Sequence, residues 1–260
     1  MEIISDTQME IGGCQFLITR PHTFGLVIDG VVDPHVEQAK AKDYLHQILL
    51  APQNRDEFLN LVESEGLVVC KNLHTKDPTY RRVRGKSSGG KLSQAEYYHH
   101  DGCSCPTKPR VVEIRMPFQE IERQVATAIA PFPAVIRAQL KSLPSRLQSD
   151  SQIAEYRDCF LNENTKLPAV ETWDQIQGRL TRLARKEMDA ETCRGYFREV
   201  DLLADAYVLP WEMGESRLML NNCDDLSKTM QHRRSYQKPR AADEQNGSLV
   251  KRWTAEEYGV

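Results

Sequence analysis

The chain has no long apolar run. Its most apolar long stretch, Ala126 to Ile136, contains Pro131 and Pro133. It is too short and too broken for a transmembrane helix, which needs about 20 residues. Charge of one sign is not in excess either: 34 basic residues stand against 37 acidic, a net −3. That balance gives no ground for nucleic acid or a membrane surface as an obligate partner. A cysteine framework is missing too. Seven cysteines (Cys14, Cys70, Cys103, Cys105, Cys159, Cys193, Cys223) show no paired spacing in a chain too long to need disulfide staples. They read as reduced thiols in a reducing compartment. The opening residues MEIISDTQMEIGG lack the basic and apolar segments of a secretory signal. No repeat is visible, and the phosphate-loop, Gly-x-Ser-x-Gly and Rossmann signatures are absent. These absences exclude secreted, membrane and polybasic classes. They lead us to expect a soluble cytoplasmic protein, and they leave enzyme against binding protein open.

What is present is enough apolar residue for a core: 40% hydrophobic against 27% charged in 260 residues, which argues against wholesale disorder. Compact runs rich in Val and Ile read as strands: Phe24–Ile28, Gly66–Cys70, Val111–Met116, Arg217–Leu220, Thr229–Tyr236 and Ser248–Thr254. Between the first two, Val36 to Leu61 has helical spacing and predicts a helix broken around Pro52. Ala134 to Leu140 suits a helix after the two prolines. Residues 146–209 are charged and poor in glycine. They predict a helical insertion of three segments, which packs over the core and offers a surface for a homo-oligomer. Strands, then helices, then strands again predict a single domain over 1–260 with a β core. The link 237–247, ending Asn246-Gly247, predicts a hairpin turn.

Two separated words carry chemistry. In Tyr98-His99-His100-Asp101, alternation along a strand puts His99 and Asp101 on one face. His232, in Gln231-His232-Arg233-Arg234, could complete a set of two histidines and one carboxylate. That donor set leaves open positions on a metal and suits non-haem iron. The tripeptide alone is weak, because a His-x-Asp arises by chance roughly 0.4 times in a chain of this composition. His35-x-Glu37 is a rival in a helix-like context, where i and i+2 diverge. A zinc site of His99 with Cys103 and Cys105 lacks a second close pair. His100 faces away from His99 and reads as structural, and Trp253 as core. Residues 79–93 are basic and rich in Gly and Ser. They read as an exposed loop or as a lid in which Arg82, Arg84 or Lys86 holds an anionic substrate group.

The order of these words resembles the Fe(II)/2-oxoglutarate-dependent oxygenases, most closely the taurine dioxygenase and clavaminate synthase-like branch. The resemblance spans roughly 60–140 and 210–255. It implies a double-stranded β-helix (jelly-roll) core with a helical insertion and flanking helices. It implies Fe(II) held by His99, Asp101 and His232, with 2-oxoglutarate as co-substrate and O2 as oxidant. Thr127, at the position of the branch's co-substrate threonine, and Arg252 on the last strand would hold a co-substrate carboxylate. Arg240 and Lys251 are alternatives to Arg252. The chain departs from the pattern in two places. Asn221-Asn222 lies about ten residues before His232, where the branch has Asp-Asn closer in. Arg252 also lies further past His232 than the branch's arginine, a difference that a longer hairpin would absorb. The implied reaction is oxidation of a small polar or amino-acid-like substrate in specialised metabolism, by hydroxylation, desaturation or oxidative cyclisation such as aziridine formation. With a carboxylate at Asp101, no ligand position is left for chloride, which disfavours halogenation. The opposing class is a non-catalytic, metal-stabilised jelly-roll binding protein.

Overall fold

The computed structural model describes residues 2–5, 8–11, 14–20, 24–29, 51–71, 81–82, 96–101, 109–115, 125–151, 153–154, 157, 170–208, 211, 215–236 and 249–253. For 2–5, 14, 81–82, 115, 125, 170–174, 235–236 and 249–253 it describes the backbone alone. His35, Glu37, Arg84, Lys86, Cys103, Cys105, Arg240 and the Asn246-Gly247 turn lie outside the described residues, as do 36–50 of the expected first helix.

The strands are β1 (Glu2–Ser5), β2 (Gln8–Ile11), β3 (Cys14–Thr19), β4 (Leu26–Asp29), β5 (Leu67–Lys71), β6 (Arg81–Arg82), β7 (Val111–Arg115), β8 (Val125–Pro131), β9 (Ser216–Leu220), β10 (Met230–Tyr236) and β11 (Leu249–Trp253). The helices are α1 (Pro52–Glu65), α2 (Phe132–Ser142), α3 (Val170–Glu187) and α4 (Ala190–Leu203). Nine strands form one mixed sheet in the order β1-β2-β3-β4-β5-β9-β7-β11-β6, and β10 pairs with β8 in a second sheet. Isolated bridges add His99 beside His232 and Tyr207 beside Ile129 to the second sheet. Among the described residues no helix is long and apolar enough to cross a membrane.

The short apolar runs are continuous rather than alternating because both faces of each sheet are covered. In β5, Val68 and Cys70 pack with Phe58, Leu59 and Val62 of α1. Leu67 and Val69 instead face the gap between the sheets, among Val112, Ile114, Met219, Ile129 and Met230. In β8, Ile129 joins that inter-sheet cluster, while Ala128 and Ala130 pack with Phe132, Val135, Leu180 and Phe197 of the helices. The order of layers is therefore α1, large sheet, small sheet, then α2, α3 and α4.

The prolines stand at helix starts. Pro52 begins α1 in the first turn, where its missing N–H would have had no intrahelical partner and its fixed φ already suits the helix; the part of the expected helix before it lies outside the described residues. Pro131 and Pro133 likewise mark the passage from β8 into α2, with Pro131 as N-cap and the helix starting at Phe132. The expectation of a hairpin across 237–247 is corrected by the strands that flank it: β10 pairs with β8 in the small sheet, and β11 pairs with β7 and β6 in the large one. Within 146–209, two α-helices are described, α3 and α4. Asp189 caps α4 by accepting the Thr192 N–H at 2.8 Å, and that bond holds the Asp189 carboxyl below its ordinary range.

Gly66 ends α1 with φ +73°, donating its N–H to the Val62 carbonyl. A Cβ there would lie 2.1 Å from Met230 Cε, two residues before His232. Gly66→Ala should therefore lower unfolding free energy by about 1–3 kcal/mol, from left-handed backbone strain and displacement of Met230. Urea denaturation measures it, and an unchanged midpoint would contradict this account.

Candidate metal centre

Two backbone hydrogen bonds bring the distant words together. His99 N–H donates to the His232 carbonyl at 3.1 Å, and His232 N–H donates to the His99 carbonyl at 3.2 Å. In such an antiparallel pair the two side chains share a face, and the imidazole centroids lie 4.4 Å apart. Asp101 joins them by a different route from the one expected. His99 is an isolated bridge residue and Asp101 lies in a turn, so strand alternation does not align the pair. Asn221 does. Its Oδ1 accepts the Asp101 N–H at 2.7 Å, and its Nδ2 donates to the carbonyls of Asp101 (3.1 Å) and Pro109 (2.8 Å). The Asn221 amide thus takes the place of a neighbouring strand, buried at the end of β9.

One ligand atom each from His99, Asp101 and His232 converge within 4.8 Å of one another. His99 Nδ1 lies 2.7 Å from the Tyr97 carbonyl. A carbonyl only accepts, so the proton sits on Nδ1 and the Nε2 lone pair is available for an ion. That Nε2 faces Asp101 Oδ1 at 3.7 Å, beyond a hydrogen bond. An ion with bonds of about 2.1 Å takes donor atoms about 3–4 Å apart. Two imidazoles and one carboxylate gathered this closely suit a divalent cation. His232 is buried, while His99 and Asp101 are partly exposed.

The other side chains from the sequence reading fall as follows. His100 turns away, with Nε2 3.0 Å from Thr229 Oγ1 and its ring edge-on to Phe132, the structural part expected of it. Thr127 is buried on β8, in register with Arg234 on β10, two residues beyond His232. Arg252 lies opposite Val112 on β11, and Arg82 on β6 lies opposite Leu249; their side chains are outside the described set.

Sequence reading missed the buried polar group around Thr127. Thr127 Oγ1 accepts the Trp211 indole N–H at 3.0 Å, and its carbonyl accepts from Arg217 Nη1 at 3.2 Å. The Arg217 guanidinium stacks 4.0 Å from the Trp211 ring centroid and 4.7 Å from that of Tyr207. Its Nε meets Glu215 Oε1 at 2.5 Å. Arg217 is fully buried. An arginine in an apolar strand run was the available signal, since a buried guanidinium needs a partner.

The class so defined is a fold of two facing sheets with a two-histidine, one-carboxylate cluster that could hold a metal ion. No protein-family model matches the chain, and no curated protein sequence matches it. Among solved structures the chain is similar to PvcB, described as an Fe, alpha-ketoglutarate dependent oxygenase from an isonitrile synthetic pathway. That likeness has 13% identity, covers 98% of this chain and 95% of that one, and gives a TM-score of 0.46. It is also similar to PvcB from Pseudomonas aeruginosa (10% identity, 98% and 94% covered, TM-score 0.47). A third is AAD-2 in complex with Mn(II) and N-oxalylglycine (11% identity, 92% and 97% covered, TM-score 0.44). With identities and TM-scores this low, the chemistry has to be decided by the chain's own side chains.

Asn221→Ala should remove three hydrogen bonds at once. The expected loss is about 1–3 kcal/mol of stability and about 10–100-fold in divalent-metal affinity. Thermal denaturation and metal titration measure the two. Unchanged affinity would show that Asp101 holds its position without the amide.

Proposed function

We propose that this chain is a non-haem Fe(II)/2-oxoglutarate-dependent oxygenase that oxidises a small polar or amino-acid-like substrate. The observation that carries the reading is the convergence of His99, Asp101 and His232, with the His99 proton held on Nδ1. Strand order supports a jelly-roll core spanning a single domain. The large sheet contains β6-β11-β7-β9. The small one runs from the His99 bridge through β10 and β8 to the Tyr207 bridge. Residues 146–209 would be its helical insertion, and the setting cytoplasmic.

Bound at this site, Fe(II) with 2-oxoglutarate and O2 supplies the oxidising power for a substrate C–H bond, the co-substrate leaving as succinate and CO2. The chain's share is to hold and orient. One carboxylate against a divalent ion leaves net positive charge for an anionic co-substrate to balance. Thr127 is suited to help. Trp211 only donates, so it occupies a lone pair of Thr127 Oγ1 and leaves the hydroxyl proton for an acceptor such as a carboxylate. Arg252 would supply a bidentate fork to the same group. Its register opposite Val112, a member of the inter-sheet cluster that holds Ile129, supports that role. An amino-acid-like substrate is favoured by the cationic 79–93 segment, which enters the sheet as β6 against the strand that carries Arg252. Arg82, Arg84 and Lys86 are its candidate anion holders. Hydroxylation is the default outcome, and cyclisation or desaturation would differ in the fate of the substrate radical.

Anaerobic addition of Fe(II) and 2-oxoglutarate should give a visible metal-to-ligand charge-transfer band that is lost in His232→Ala. No band with the protein folded would sink the oxygenase reading and leave a metal-stabilised binding protein. Titrating that band with 2-oxoglutarate should show Thr127→Val weakened about tenfold, the equivalent of one lost hydrogen bond to a charged group. An unaltered titration would remove Thr127 from the co-substrate site.

A further inference from the structure

We propose that Asp201, on helix α4, is a positioning residue that fixes the spacing of the two metal-binding imidazoles from behind. The inference rests on the reading of His99, Asp101 and His232 as metal ligands.

Since His99 and His232 face one another across an antiparallel bridge, their neighbours Tyr98 and Arg233 also face one another, on the opposite side of the small sheet. That side packs against the helices, where Tyr98 belongs to the cluster of Phe197 and Val200. The Asp201 carboxylate joins the two neighbours. Its Oδ1 accepts from Tyr98 Oη at 2.8 Å and from Arg233 Nε at 2.8 Å. Its Oδ2 accepts from Arg233 Nη2. All three side chains are buried, at 2% (Tyr98), 5% (Arg233) and 8% (Asp201) exposure. Gln177 of α3 adds a hydrogen bond from Nε2 to the Tyr98 carbonyl at 3.2 Å. The Arg233 guanidinium also lies over the Tyr98 and Phe197 rings, at 5.8 and 5.3 Å.

A cross-link at this place has a specific consequence. Among the described residues, the segment carrying His99 is tied to β10 by one bridge and not by a ladder, so its backbone pairing with β10 consists of two hydrogen bonds. A carboxylate that holds residue 98 against residue 233 restrains the same pair one residue away on the other face. The Arg233 guanidinium is buried, and the Asp201 carboxylate is the anionic group hydrogen-bonded to it. Without the aspartate, a buried cation would lose its partner and draw β10 out of place. Helix α4 thereby sets the geometry of the site from the far side of the small sheet.

The test is Co(II) titration of the metal-free protein, reading affinity and the visible d–d spectrum. Asp201→Asn keeps the size and an acceptor and removes the charge. It should weaken Co(II) binding about tenfold or more, as loss of groups that orient metal ligands does, and shift the spectrum while far-ultraviolet circular dichroism is retained. Asp189→Ala, which uncaps the same helix, should lower Tm and leave Co(II) affinity and spectrum as they were. Asp201→Asn with wild-type affinity and spectrum would overturn the proposal. If Asp201→Asn does not fold, Tyr98→Phe takes its place. Removing that one hydroxyl should weaken Co(II) about threefold with a spectral shift, and no change in either would overturn the proposal equally. A His232→Ala protein with the wild-type Co(II) spectrum would instead sink the underlying metal assignment, whatever Asp201 does.

Discussion

The candidate site depends on two backbone hydrogen bonds between His99 and His232. They join parts of the chain that sequence separates by more than half its length. They also decide that the two imidazoles share a face. A lone bridge has no neighbouring rungs to fix it, and each further contact around it acts as a substitute rung. Asn221 does this with its amide in front, against Asp101. Thr229 holds His100 from one end, and Asp201 joins Tyr98 to Arg233 behind. The face of the bridge that carries the candidate ligands is thus braced by Asn221, and the opposite face by Asp201.

The two buried arginines illustrate a division of labour between stability and position. Arg217 with Glu215, and Arg233 with Asp201, remove full charges from water, at a cost that their mutual attraction barely recovers. Both arginines also lie over aromatic rings, which softens that cost. Stability comes from the three apolar clusters, in which β4, β5, β7, β8 and β9 bury side chains on both faces. The ion pairs supply direction instead: a charge-assisted fork tolerates little sliding, whereas valine against leucine tolerates a good deal. Each of the two arginines ties a strand of the core to a particular neighbour, Arg217 to the Thr127 carbonyl and Arg233 to α4.

Much of the β core was legible in the sequence because two-sided burial writes strands as unbroken apolar runs. Leu67–Cys70 is such a run, with Gly66 before it ending α1 rather than opening the strand, and Val111–Ile114 is another. That His99, Asp101 and His232 come together was legible from residue type and order, although alternation does not align Asp101, which sits in a turn. The prolines were legible as boundaries, and Pro52 and Pro131 stand at helix starts, where a missing N–H costs no intrahelical bond. The supporting residues were not legible. Asn221 is 120 residues from Asp101 and Asp201 is 32 from Arg233. An asparagine after a strand or an aspartate on a helix looks the same whether it faces water or a buried partner. Only the topology assigns them.

Strand order also constrains how the chain comes to be folded. Both sheet neighbours of β7, β9 and β11, are made about a hundred residues or more after it, and β8 waits as long for β10. At the ribosome, with synthesis at about 5–20 residues per second, these strands pass roughly 5–20 s with open edges. During that interval α2, α3 and α4 emerge and can cover the outer side of β8, but no described strand made by then is a partner of β7. The growing polypeptide is therefore exposed to self-association until 216–253 emerges, and that stretch both completes these sheets and delivers His232. Assembly of the site and escape from aggregation are a single event in the birth of this molecule.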